Sequence, residues 1–134
     1  MTVLLDTNAL IWTLQDQAEL GRRSRGEIEQ ALRNGQLLAS AVSFWEVAML
    51  ISKQRLMLDR SPSRWRLDAL RAGIVEVPLD GELAVDSVSL TALHNDSMDR
   101  IIVATAIKMR ATLITSDRTL LAWKGPLARL DARV

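Results

Sequence analysis

Short apolar runs alternate with longer segments of helical pattern along this chain, and that alternation constrains the fold more than any other feature. The first run, Val3-Leu4-Leu5, stops at Asp6, and an apolar segment predicted as a helix follows. Strands separated by helices pair in parallel, with helices on both faces of the sheet. We therefore expect one domain over residues 1–134, a three-layer α/β/α sandwich with a central, mostly parallel sheet of four to five strands.

The same pattern sets approximate boundaries for the elements. Strands are predicted at residues 2–5, 36–40, 74–77 and 112–115, and residues 128–134 can add an edge strand. Helices are predicted at residues 8–15, 22–34, 44–54, 62–72, 81–93, 98–110 and 116–123. The third helix is apolar almost all round, which predicts that it is buried.

Composition excludes several classes of protein. The chain has no Cys, which removes disulfides, thiolate catalysis and Cys-ligated zinc. It has no apolar run of the ~18 residues that a membrane helix needs and no secretory-signal pattern, so we expect a cytoplasmic protein. The net charge of +1 does not indicate a nucleic-acid binder. The 14 Arg against 3 Lys suit phosphate, but codon bias in a GC-rich genome explains that ratio more simply.

Four acidic residues stand where the fold can bring them together. Asp6 and Asp117 each lie at the end of a predicted parallel strand, and Glu46 and Asp99 fall in the predicted first turns of apolar helices. These places share the edge of the sheet where ligands bind. Two carboxylates about 4 Å apart repel by roughly 4 kcal/mol at an effective dielectric of 20, so four together require protons or cations. Hard oxygen ligands favour Mg²⁺ or Mn²⁺ over zinc, and the single His94 is predicted as a surface or capping residue.

Each acid also has a purely structural interpretation. Asp6 and Asp117 can cap the helices that follow them. Glu46 fits a capping box with Ser43, and Asp99 suits the positive N-terminal end of its helix. The polar neighbours are predicted as caps rather than ligands: Thr7, Asn8, Asp96, Thr115 and Ser116.

A Mg²⁺ or Mn²⁺ ion held by acids can activate water and clamp a phosphodiester, so the reaction needs no nucleophile from the protein. The chain offers none: it has no Cys, no usable Ser-His-Asp arrangement and no Gly-rich phosphate loop. We therefore expect metal-dependent hydrolysis of a phosphodiester by a metal-activated water. Basic residues of two segments are candidates for holding a nucleic-acid backbone, although a solvated surface explains each one alone: Arg22, Arg23, Arg25, Lys53, Arg55, Arg60, Arg64 and Arg66.

Four motifs follow one another along the chain. They are Leu4-Leu5-Asp6-Thr7-Asn8, Ser40-Ala41-Val42-Ser43-Phe44-Trp45-Glu46-Val47-Ala48, His94-Asn95-Asp96-Ser97-Met98-Asp99-Arg100 with Ala104 and Ala106, and Leu113-Ile114-Thr115-Ser116-Asp117. In order and spacing, over residues 2–121, they resemble a PIN domain, and most closely the VapC-type toxins of type II toxin–antitoxin pairs.

The resemblance implies an endoribonuclease that depends on Mg²⁺ or Mn²⁺, with a catalytic and metal-binding quartet at Asp6, Glu46, Asp99 and Asp117. It also implies a homodimer that a small antitoxin neutralises. A non-catalytic PIN-fold module, acting through dimer or antitoxin contacts, is the alternative. A phospho-accepting receiver domain needs a paired acidic cluster after its first strand, where this chain has a lone acid. Relatives often carry Pro-Phe in place of Ser97-Met98, and Gly in the turn at Gln54-Arg55.

Overall fold

The computed structural model describes residues 1–134, which form five strands and seven helices. The strands are β1 Val3–Leu5, β2 Leu37–Ser40, β3 Val75–Val77, β4 Thr112–Thr115 and β5 Arg129–Asp131. The helices are α1 Thr7–Leu14, α2 Arg22–Arg33, α3 Ala41–Ser52, α4 Pro62–Ala72, α5 Gly81–Val88, α6 Ser97–Lys108 and α7 Arg118–Ala122. None of these helices has both the length and the apolar character needed to cross a bilayer.

The five strands form one sheet in the order β3-β2-β1-β4-β5, and every neighbouring pair is parallel. The first strand is central, because Leu4 pairs with Leu38 on one side and with Leu113 on the other. Parallel neighbours require crossover connections, which the helices supply. The predicted α/β/α architecture is therefore confirmed, with a sheet that is wholly parallel and an edge strand within residues 128–134.

Side chains of the central strand alternate between two hydrophobic cores. Val3 and Leu5 belong to a core that includes residues of α1 to α4, whereas Leu4 belongs to a core with α5 to α7. All three side chains are fully buried. Because successive residues of a strand point to opposite faces, a strand covered on both faces must be apolar throughout. Helices cover both faces of the sheet, so the strand ends are left to form a site.

Most boundaries lie within two residues of the prediction, but α3 begins three residues earlier. Ser40 ends β2 and at once caps the helix, because its side chain accepts a hydrogen bond from the backbone N–H of Val42. The strand therefore runs directly into the helix without a loop. This early start moves Glu46 from the predicted first turn of the helix into the second.

The fifth helix ends at Val88, five residues before the predicted end. The carbonyl of Ser87 accepts a hydrogen bond from the guanidinium of Arg100, as do the carbonyls of Leu90 and Leu93. A helix that continued would use the Ser87 carbonyl for its own hydrogen bond to the N–H four residues later. The arginine therefore replaces the last helical turn with an irregular segment, residues 89–96.

Helix α3 is less buried than its apolar composition predicts. Val42, Phe44 and Val47 are buried, but Trp45 is 55 % exposed. The prediction of a buried helix is therefore wrong for the side that carries this tryptophan. In the turn that follows, Gln54 adopts a φ of 58°, in the left-handed region that favours glycine.

Two glycines of α2, one at its N-cap and one in its interior, have opposite surroundings. A β carbon on Gly21 would lie 2.2 Å from the backbone carbonyl carbon of Val134, whereas one on Gly26 would meet nothing within 4 Å. We predict that Gly21→Ala lowers the free energy of unfolding by about 2 kcal/mol through overpacking. Gly26→Ala, in the interior of an exposed helix, should raise it by about 0.5–1 kcal/mol. Urea unfolding measures both, and an undiminished stability of Gly21→Ala would contradict the tight contact.

Candidate functional site

The strand order brings two of the predicted acids to neighbouring strand ends. Strands β1 and β4 are adjacent, with Leu5 opposite Ile114 in the register. Asp6 follows β1 directly and donates its backbone N–H to the Ile114 carbonyl at 3.1 Å. Asp117 stands two residues beyond the end of β4. Because the carboxyl ends of parallel strands face one edge, both carboxylates lie at the same edge of the sheet.

One pocket at this edge holds all four predicted acids. Its volume is about 210 Å³, and no apolar side chain lines it. The lining residues are Asp6, Thr7, Asn8, Glu46, Asp96, Asp99 and Asp117. Thr115 and Ser116 are buried and do not line the pocket. The fold thus brings together acids that are far apart in the sequence.

Asp6 is the most buried of the four acids, with 6 % of its surface exposed. Its Oδ1 accepts a hydrogen bond from the backbone N–H of Ala9 at 2.8 Å, and its Oδ2 accepts one from the hydroxyl of Thr115. Burial raises the pKa of Asp6 to about 6, and the charges of Asp117 and Glu46 also raise it, against the lowering effect of both hydrogen bonds. The capping interpretation of Asp6 is confirmed, but each oxygen keeps a further lone pair for a ligand role.

Glu46 reaches the pocket from the second turn of α3. The predicted capping box with Ser43 is wrong, because Ser40 is the N-cap and Ser43 lies inside the helix. Instead, the hydroxyl of Thr7 donates a hydrogen bond to Oε1 of Glu46 at 2.6 Å. The hydroxyls of Thr7 and Ser43 lie 3.1 Å apart. The start of α1 therefore holds the carboxylate that α3 supplies.

Asp99 lies in the first turn of α6, where Asp96 is the N-cap and accepts a hydrogen bond from the Asp99 N–H at 2.9 Å. Burial raises the pKa of Asp99 to about 6; the charges of Asp96, Asp117 and Glu46 also raise it, while that of His94 lowers it. This histidine was predicted to be a surface or capping residue. Its Nε2 instead lies 2.9 Å from Oδ2 of Asp99. The only signal in the sequence was its place five residues before the acid.

Asp117 caps the last helix with one of its oxygens. Its Oδ1 accepts hydrogen bonds from the backbone N–H groups of Thr119 at 2.8 Å and Leu120 at 3.2 Å, which confirms the capping interpretation. Thr115 links Asp117 to Asp6, because its hydroxyl donates to the Asp6 carboxylate and accepts from the Asp117 backbone N–H at 3.0 Å. One threonine thus fixes the relative position of two acids.

The remaining oxygens of the pocket suit a hard divalent cation. No hydrogen bond within the protein reaches Oε2 of Glu46, Oδ1 of Asp99 or Oδ2 of Asp117. No Lys or Arg forms a salt bridge with any of the four acids, and the contact of Asp99 with His94 is their one pairing with a basic residue. No three acidic or histidine side chains already have the arrangement of a metal cluster. The fit to Mg²⁺ or Mn²⁺ therefore rests on the oxygen donor set and on the uncompensated negative charge.

Half of the basic residues predicted to hold a nucleic-acid backbone are paired with carboxylates. Arg25 contacts Asp16 at 2.6 Å and Arg66 contacts Glu76 at 2.7 Å. Arg60 and Arg64 both contact Asp68. The other four are exposed and form no salt bridge: Arg22, Arg23, Lys53 and Arg55. These four therefore have no carboxylate partner that would compete with a phosphate.

The chain resembles known proteins along nearly its whole length. A family model described as the PIN domain matches residues 3–124. The ribonuclease VapC22 of Mycobacterium tuberculosis is 31% identical over 126 residues, which cover 93% of this chain and 94% of that protein.

Two solved structures align with this chain along nearly its whole length. VapBC2 from Rickettsia felis, bound to a DNA fragment from their promoter, aligns with a TM-score of 0.69 and 16% identity over 97% of this chain and 98% of that chain. A toxin–antitoxin complex from Klebsiella pneumoniae aligns with a TM-score of 0.63 and 26% identity over 98% of both chains. The first of these likenesses shows the fold alone.

Proposed function

Because this chain belongs to the PIN domain family, in its VapC group, we propose that it is the toxin of a type II toxin–antitoxin system and an endoribonuclease that depends on Mg²⁺ or Mn²⁺. The observation that carries the proposal is the pocket at the strand ends, which gathers five carboxylates, the four predicted acids among them, with no apolar lining and no Lys or Arg partner. Hydrolysis of a phosphodiester in such a pocket requires a cation to offset the charge of acids and substrate together.

In this proposal Asp6, Glu46 and Asp99 hold the cation, and Asp117 is a further ligand or orients one through water. A divalent cation bound there would supply the positive charge that polarises an attacking water and the phosphodiester. The four acids also repel the phosphates of RNA, so productive binding of RNA to the pocket depends on the cation. This requirement couples substrate binding to metal binding.

The chain's own hydrogen bonds prepare the acids for that task. Thr115 spaces Asp6 and Asp117, and Thr7 holds one oxygen of Glu46. Each of these bonds leaves at least one lone pair of the carboxylate available. Hydroxyl donors fix the direction of an ionised carboxylate without adding charge, so they orient ligands and leave the pocket's negative potential intact.

The partners belong to the same proposal. VapC22 is named a ribonuclease, and the protein from Klebsiella pneumoniae is part of a toxin–antitoxin complex. By that relationship we assign this chain an RNA substrate, a small cognate antitoxin, a homodimeric state and a cytoplasmic location. The exposed Trp45 on α3 offers an apolar contact for another protein chain.

Removal of the metal gives the direct test of this function. We predict that protein treated with EDTA cleaves RNA at least about 100-fold more slowly, and that Mg²⁺ or Mn²⁺ restores the rate. Cleavage of a fluorescent RNA by the purified protein measures the effect. Asp99→Asn protein from an identical purification controls for contaminating nucleases.

Two results would favour the alternative of a non-catalytic module. One is tight binding of the antitoxin with no cleavage of any cellular RNA in the presence of metal. The other is cleavage that EDTA leaves unchanged and that also appears in the Asp99→Asn preparation, because the activity would then belong to a contaminant.

A further inference from the structure

A histidine outside the pocket contacts one of the acids that line it. Nε2 of His94 lies 2.9 Å from Oδ2 of Asp99, and both side chains are mostly buried, with 28 % and 23 % exposed. His94 is not among the residues that line the pocket. It therefore touches neither the space for a cation nor that for a phosphodiester, and any effect on the site must pass through Asp99.

The segment that carries His94 is held in place by Arg100, the residue that follows Asp99. The guanidinium of Arg100 donates four hydrogen bonds to backbone carbonyls at the end of α5 and in the irregular segment that follows it, at distances of 2.6 to 3.0 Å. The acceptors are Ser87, Leu90, Leu93 and His94. A planar guanidinium with several donors holds a backbone more rigidly than one flexible contact does. Two consecutive residues of α6 thus hold the segment. Arg100 binds its backbone carbonyls, and Asp99 binds the imidazole of His94.

Chemistry fixes the direction of the hydrogen bond. An ionised carboxylate has only acceptors, so the imidazole must donate from Nε2. Oδ2 of Asp99 is engaged in that bond, whereas no hydrogen bond within the protein reaches Oδ1. Without this donor, the carboxylate would be free to rotate away from the negative charges of Asp96, Asp117 and Glu46 that face it.

We propose that His94 is a positioning residue, which holds the Asp99 carboxylate by a hydrogen bond from Nε2 to Oδ2 so that Oδ1 faces the cation. This inference rests on the proposed function, because it takes Asp99 as a ligand. Removal of a hydrogen-bond donor that orients a metal ligand typically changes metal affinity by about 10–100-fold.

Two substitutions separate the hydrogen bond from the bulk of the side chain. His94→Leu removes the donor and keeps an apolar side chain of moderate size, whereas His94→Gln keeps an N–H donor at a similar reach. We expect His94→Leu to weaken Mn²⁺ binding at least about 10-fold and His94→Gln to stay within about threefold of the wild type. Calorimetric titration of Mn²⁺ into the RNA-free protein measures both. Equal affinities of the wild type and His94→Leu would overturn the proposal.

Kinetics supply a second readout. If the histidine acts only through the ligand, the cleavage rate of His94→Leu recovers when Mn²⁺ is raised to saturation, with an unchanged KM for RNA. A rate that stays low at saturating Mn²⁺ would instead assign His94 a direct part in the reaction and overturn the positioning role.

The wild-type protein allows a test that needs no substitution. The chain has one histidine, so the imidazole ¹⁵N resonances of tag-free protein are unambiguous. In mildly alkaline buffer we expect the proton on Nε2, and a shift of that resonance when Mg²⁺ is added. An imidazole that carries its proton on Nδ1 alone would contradict the proposal, even if His94→Leu failed to fold.

The Asp99→Asn variant distinguishes failure of the metal site from failure of the positioning role of His94. If it binds Mn²⁺ as the wild type does, the metal site itself is wrongly assigned. If it loses Mn²⁺ affinity while His94→Leu does not, the metal site stands and only the positioning role fails.

Discussion

Replacing Asp99 with Asn should lower the rate of RNA cleavage by about a thousandfold, while the protein stays folded. The loss follows from the proposed role, since a metal ligand at the reacting phosphate contributes roughly 4 kcal/mol to the transition state. The fold survives because Asn has the same shape and its carbonyl oxygen can still accept the hydrogen bond that His94 gives to Oδ2. Single-turnover cleavage of a fixed RNA substrate, with circular dichroism of the same samples, measures both effects.

Asp96 provides the matched control for that substitution. It lines the same pocket, carries the same charge and lies three residues away, but its Oδ1 serves as the N-cap of α6. Asn caps helices as well as Asp does, so Asp96→Asn should keep the cleavage rate within about threefold. Equal losses in the two variants would mean that total charge, rather than a specific ligand, controls the rate. Wild-type activity in Asp99→Asn would remove Asp99 from the site.

We expect the metal-free protein to become more stable, not less, as the pH falls from about 7 to about 5. Burial and neighbouring charges raise the pKa values of Asp6 and Asp99 to about 6, above the 3.8 of an unperturbed Asp. In that range the folded protein binds protons that the unfolded chain does not, so the free energy of unfolding rises as pH drops. The two carboxyls share the same repulsive neighbours. Together they should raise the free energy of unfolding by about 2 kcal/mol as the pH falls between these values.

Other acids limit this effect to a window above about pH 4.5. The pKa values of Asp59, Asp68, Glu76 and Asp80 are lowered by partners that include Arg60, Arg66 and the Leu83 backbone N–H. Their stabilising contributions are present above their unfolded pKa values and are lost as pH falls through the lowered ones. Below the window, therefore, stability decreases again.

Urea unfolding at a series of pH values, in EDTA, measures this dependence. The control is the same series for Asp6→Asn, whose rise in stability toward pH 5 should shrink by about half because one of the two titrating groups is gone. Saturating Mg²⁺ should remove or reverse the slope, since a cation binds the ionised acids and stabilises the fold near neutral pH. Stability of the metal-free wild type that increases from pH 5 to 7 would contradict the burial of uncompensated carboxylates.

The convergence of the acids was predictable because it depends on topology. Parallel strands end at one edge, so Asp6 and Asp117 had to lie close once β1 and β4 were neighbours. The position of Glu46 in its helix was less certain, since the start of α3 depends on whether Ser40 or Ser43 caps it. Both serines fit the local pattern, and only the direct passage from strand to helix decides between them.

The role of His94 could not be read from the sequence. It lies in an irregular segment, where neither helical nor strand periodicity predicts the direction of a side chain. The contact exists because hydrogen bonds from Arg100 end α5 early and hold the following segment against α6. These are tertiary contacts between residues far from one another in the local pattern. For the same reason the length of α5 was overestimated, since its sequence remains helical in pattern beyond Val88. Tertiary hydrogen bonds outweighed local propensity there.

Calorimetric titration of Mn²⁺ into RNA-free protein tests the central claim most directly. The wild type and Asp96→Asn should bind with similar affinity, and each of Asp6→Asn, Glu46→Gln, Asp99→Asn and Asp117→Asn should bind at least about tenfold more weakly. A wild type that takes up no Mn²⁺, or four such variants that bind as tightly as it does, would mean that the carboxylates at the strand ends do not form a metal site.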